Sequence, residues 1–144
     1  MELYIGVPSG MVLCIDNIKS GEVSGRLYHS YQEQPIQFES MEQLVRDTEY
    51  FLDEIGFPVA DTSSRSFLEH PSTYHAAGRK QRVLSDEELM QRRGRLGSFI
   101  LRIQHRQYSS WQGTVTWIEQ QRTRTFHSAL ELIKLLEAAM LKKV

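Results

Sequence analysis

The chain has 144 residues, a single cysteine and a formal net charge of −1. A chain of that length buries a real core without covalent staples, and one cysteine, Cys14, excludes an intrachain disulfide framework and a multi-cysteine zinc site. No window approaches the roughly 18 apolar residues of a membrane span, and Met1-Glu2-Leu3-Tyr4-Ile5 lacks the features of a secretory signal, so a cytoplasmic protein without membrane contact is expected.

In chain order, residues 11–15 form an apolar run of strand length, and 25–31 and 35–38 read as a hairpin turning near Gln32-Glu33-Gln34. Ser40-x-x-Gln43 is a capping-box pattern that opens a helix over about 40–55. Its apolar stripe is Met41, Leu44, Val45, Thr48, Leu52 and Ile55, and Gly56-Phe57-Pro58 supplies the stop. Residues 62–82, rich in Ser, Arg, Gly and His and broken by Pro71 and Gly78, read as a long loop or linker. A short helix is expected near 85–93, where Ser85 precedes the acidic turn Asp86-Glu87-Glu88.

A strand over 99–105 alternates, with Leu101 and Ile103 on one face and Arg102 and Gln104 on the other. Strands at 113–119 and 123–126 flank the polar pair Gln120-Gln121, and Ser128-x-x-Glu131 opens a helix over about 128–142. That helix repeats the stripe with Ala129, Leu132, Ile133, Leu136 and Met140. It also carries Leu130, Leu135 and Ala138 where the first helix has Glu42, Asp47 and Tyr50, so its apolar arc is wider than one buried face needs.

The two halves align without a gap at a shift of 88 positions. Residues 12–52 meet 100–140 with 8 identities in 41 positions, among them Leu13/Leu101, Ile15/Ile103, Gly25/Gly113, Phe38/Phe126 and Leu44/Leu132. The expected fold is therefore α+β, an internally duplicated strand–hairpin–helix unit with an antiparallel sheet and helices packed on one face. Its parts are a first unit over 1–60, a basic linker over 61–97 and a second unit over 98–144, together one compact domain.

Ser110-Trp111-Gln112-Gly113-Thr114-Val115-Thr116-Trp117, followed by Phe126-His127-Ser128-Ala129-Leu130-Glu131-Leu132, resembles a group of small uncharacterised proteins of gut Firmicutes. Leu27-Tyr28-His29 and Phe38-Glu39-Ser40 in the first unit carry the same likeness. The resemblance implies a bacterial cytoplasmic setting and the duplicated plan, and it brings no known activity.

Site chemistry is sparse. The five histidines, His29, His70, His75, His105 and His127, form no helical ligand pair, and neither a nucleophile elbow nor a phosphate loop occurs, so no metal, cofactor or catalytic residue is expected. Cys14 reads as an inert core thiol. Asp47, Glu49, Asp53 and Glu54 read as a solvated helix face.

Three functional classes follow. The first is a non-catalytic interaction or adaptor module that pairs with itself or another protein through Leu130, Leu135, Ala138 and Trp111, with Trp111 taken as an exposed stacking platform ahead of the strand. The second is a nucleic-acid-binding accessory protein. Charge is uneven along the chain, with 3 Lys/Arg against 10 Asp/Glu over residues 1–60 and 9 against 4 over 65–106. Arg79, Lys80, Arg82, Arg92, Arg93 and Arg95 of the linker, with Arg102 and Arg106 on an open sheet face, are its candidate contacts. The third is an enzyme of unidentified class.

Overall fold

A strand that is apolar at every position belongs where both faces of a sheet are covered. The computed structural model describes residues 5–6, 9–57, 60–61, 81–107 and 110–141, and in it Met11 to Ile15 open the central strand β1 (Met11–Lys19), each fully buried. The remaining elements are β2 (Glu22–His29), β3 (Ile36–Phe38), α1 (Met41–Ile55), β4 (Ala60–Asp61), α2 (Asp86–Met90), β5 (Gly97–Gln107), β6 (Ser110–Trp117), β7 (Arg122–Phe126) and α3 (Ala129–Leu141). Six strands form an antiparallel sheet in the order β3-β2-β1-β5-β6-β7, and the two-residue β4 runs parallel to the end of β5. The fold is α+β with helices on a sheet.

The strand registers repeat at the same shift of 88 that aligns the sequence. Leu13 pairs with Leu27 and Gly25 with Phe38, as Leu101 pairs with Val115 and Gly113 with Phe126. Where β1 meets β5, Val12 faces Ile100, and the flanking pairs Leu13/Phe99 and Met11/Leu101 exchange under the shift. Each hairpin also carries an irregularity at the same place, between Ile15 and Asn17 in β1 and between Ile103 and His105 in β5. An extra residue there reverses the side-chain parity of the rest of the strand.

Glycine is required beside each irregularity. A Cβ on Gly25 would stand 1.9 Å from the Cys14 carbonyl oxygen, and one on Gly113 would stand 1.8 Å from that of Arg102. Both obstacles are backbone in a sheet interior and cannot swing away.

Both long helices lie on one face. The Ser40 hydroxyl accepts from the Gln43 amide to start α1, and Gly56, at φ 69°, ends it by donating to the Leu52 carbonyl. Ser128 accepts from the Glu131 amide in the same way at the start of α3. Leu44, Leu52 and Ile55 of α1 and Leu132, Leu136 and Met140 of α3 meet Leu13, Leu27, Phe38, Leu101 and Phe126 in one core.

The second face does not stand open. Leu84 and Leu89, with Ile5, cover Val12, Cys14, Tyr28 and Ile100 in a smaller core, so the expected bare sheet face is corrected to a covered one. The cover is the end of the segment read as a linker. Ser85 and Glu88 form a reciprocal capping box around the five-residue α2, and the Val83 and Leu84 amides donate to the Ser30 carbonyl. The loop expected over 62–82 lies, except for residues 81 and 82, outside the described residues.

Candidate functional site

Three residues taken as surface contacts are buried. Arg102 donates from Nε to the Ile5 carbonyl and from Nη1 to the Thr114 and Thr116 hydroxyls, which ties the second-face cover to β5 and β6. Arg106 was expected beside it by alternation. The irregularity at Gln104 instead turns Arg106 onto the helix face, opposite Trp111. There its fully buried side chain donates to Glu49 at 3.1 Å and Asp53 at 2.8 Å. Trp111 is buried rather than a stacking platform: it lies within β6, shares parity with Gly113 and Val115, and donates its indole N–H to Glu49. Glu49 and Asp53 are accordingly not a merely solvated face, because they neutralise a buried guanidinium.

Three arginines of the middle segment have side-chain partners within the fold. Arg82 pairs with Asp86, Arg92 lies over the Tyr28 ring at 5.0 Å, and Arg93 donates to the Met90 and Arg92 carbonyls. The amide of the exposed Arg95 donates to Asp16, whose carboxylate is also gripped by the Arg26 guanidinium. That grip holds the Asp16 carboxyl below its ordinary value. Arg79 and Lys80 lie outside the described residues.

The cleft of interest lies under the outer side of α3. A space of about 280 Å³ opens between that helix and the β6–β7 hairpin, floored by Val115 and the Trp117 ring and walled by Leu135, Ala138 and Ala139. Arg122 and Arg124 stand on the same edge strand at two-residue spacing, so their side chains share one face and line the cleft together. Both are exposed. Among the described residues, neither forms an ion pair with a carboxylate. Leu135 and Ala138, expected to form an association surface with Leu130, are thus walls of this cleft, while Leu130 is 59 % exposed and does not line it.

The shift of 88 carries the cleft onto a second one, about 230 Å³, in the first unit. There His29 stands in place of Trp117, Ile36 in place of Arg124, Asp47 in place of Leu135, and Tyr50 and Phe51 in place of Ala138 and Ala139. The Phe51 ring stacks on His29 with centroids 3.9 Å apart and planes 20° apart. The first unit therefore supplies its own aromatic ring at the position where the second has the methyl group of Ala139.

Elsewhere the chemistry is quiet. Burial pushes the Cys14 thiol up to about 11, which keeps it protonated and unreactive at neutral pH. Among the described residues, no group of three or more His, Cys, Asp and Glu side chains is placed to hold a metal, and no helix is long and apolar enough to cross a membrane. His70 and His75 lie outside them. No protein-family model, curated protein or solved structure matches the chain.

The cleft's arginines were missed in the sequence. The alternation Arg122-Thr123-Arg124 beside a helix with alanines at 138 and 139 was the available signal. It becomes informative only once the first unit's Phe51 is placed against His29.

Proposed function

We propose that the chain is a non-catalytic interaction module built from two copies of one strand–hairpin–helix unit, and that its working surface is the Arg122/Arg124 cleft of the second copy. The common register, the paired irregularities and the required glycines at 25 and 113 support the duplicated plan. The observation that carries the function is the cleft itself: apolar walls under α3 with two exposed guanidiniums at its edge. Apolar walls with a few placed polar groups are the usual make-up of a ligand site. A non-catalytic role fits its chemistry, since among the described lining residues the titratable groups are arginines, which hold anions well and do not shuttle protons.

Amide-resolved NMR with a panel of small apolar carboxylates and matched neutral compounds tests this reading. Shifts are expected to cluster around Val115, Trp117, Arg124, Leu135 and Ala139, and to be larger for the carboxylates. Shifts confined to other surfaces, or none at millimolar ligand, would overturn it.

A further inference from the structure

The two clefts, compared with one another, narrow the chemistry of the ligand. We infer that the second cleft takes a small aromatic carboxylate whose ring lies against Trp117 and whose carboxylate meets Arg122 and Arg124; this rests on the reading that the cleft is the working surface.

The first unit places a ring at the corresponding position. Corresponding strands share one register, so the space above Trp117 corresponds to the space above His29. Above His29 that space holds a phenyl ring, Phe51, which is 4 % exposed and stacked. Above Trp117 the same helix position is Ala139, preceded by Ala138 in place of Tyr50. A ligand ring entering there would meet the Trp117 indole, which is itself stacked on Phe99 at 5.7 Å. Offset stacking of this kind adds to simple apolar burial.

The second unit sets the size and charge that the cleft admits. A volume of about 280 Å³ lies just below the usual span of ligand clefts, roughly 300 to 1,000 Å³, and so admits no more than one ring with a short chain. Arg124 replaces Ile36 of the first cleft, and Leu135 replaces Asp47, so a carboxyl is removed from the helix wall while a guanidinium is added to the strand wall. The change favours an anion on both counts. A carboxylate suits a guanidinium because the two planar groups form paired hydrogen bonds.

Calorimetric titration of 3-phenylpropionate, 3-phenylpropan-1-ol and hexanoate into the full chain tests the inference. The wild type should bind 3-phenylpropionate about tenfold more tightly than the alcohol, the size of one charge-assisted contact at an exposed rim. Arg122→Gln with Arg124→Gln should erase that preference. Ala139→Phe, which installs the ring the first unit already has, should abolish binding, and Ala138→Tyr, at an exposed position where a larger side chain leaves the fold intact, should weaken it. Hexanoate binding as tightly as 3-phenylpropionate, with both blocked by Ala139→Phe, would overturn the aromatic assignment and leave the cleft as the working surface. No binding by any of the three, or binding untouched by Ala138→Tyr and Ala139→Phe, would overturn both.

Discussion

The first and second units place different side chains on the same strand register, and the differences concentrate at two places. Beyond the irregularity, the first unit has the apolar pair Ile18/Val23, whereas the second has Arg106/Trp111, which recruits Glu49 and Asp53 from α1. Under the helices, the first unit stacks Phe51 on His29, whereas the second leaves Ala139 opposite Trp117. One backbone plan thus carries a cleft with its own stacked aromatic ring or one walled by alanines, according to a few residues. The second unit's polar pair is served by the first unit's helix, so the halves are interlocked by charge as well as by the β1–β5 ladder.

The largest effect is expected where the first unit would be made to resemble the second. Phe51→Ala removes the stacked ring and should cost about 3–5 kcal/mol in denaturant unfolding, as large-to-small core changes do. A loss below about 1 kcal/mol would mean that the ring is not an integral part of the first wall.

Next comes the charge link between the units. Replacing both Glu49 and Asp53 by Ala leaves the Arg106 guanidinium buried without either carboxylate and the Trp111 indole N–H without its acceptor, a loss of about 3 kcal/mol. Arg106→Met together with the two acidic changes should recover most of it, because a buried apolar chain makes no such demand. Failure to recover would place the cost in α1 or in the Trp111 N–H rather than in the buried guanidinium deprived of these carboxylates.

The smallest of the three concerns Asp16, which in the first unit occupies the irregularity that Gln104 occupies in the second. The Arg26 guanidinium and the Arg95 amide depress its folded pKa. A depressed carboxyl contributes stability that is fully present above its unfolded value of about 3.9 and is lost as pH falls through the lower folded value. Asp16→Asn should therefore cost about 1 kcal/mol at pH 7, and the gap to wild type should shrink as pH drops below about 4. A gap that stays constant into acid would assign the loss to packing instead of charge.

Much of this plan is legible in the residues. The two capping patterns and the apolar stripes of α1 and α3 are local signals, and the helices form where they predict. Period-two alternation failed at Arg106, because an irregularity reverses parity and neither Asp16 nor Gln104 announces one. Trp111 was misplaced by beginning the strand at Gly113, although its own parity with Val115 marked it as inward. Leu84 and Leu89 were hidden among charges in a segment that composition alone makes look like a linker, and what they cover is decided by tertiary packing. The cleft was least legible of all, since an empty volume is set by what is missing opposite Trp117.

The central claim, that a ligand ring lies against Trp117 where the second unit has Ala139 and the first unit stacks its own Phe51 on His29, has a direct spectroscopic test. The chain contains two tryptophans, Trp111 in the core and Trp117 in the cleft, so 5-fluorotryptophan labelling gives one ¹⁹F resonance for each environment. Titration with 3-phenylpropionate is predicted to move the Trp117 resonance in a saturable way, to leave Trp111 nearly unchanged, and to move neither resonance in Ala139→Phe. Equal movement of both resonances, or a Trp117 response that persists in Ala139→Phe, would contradict the account.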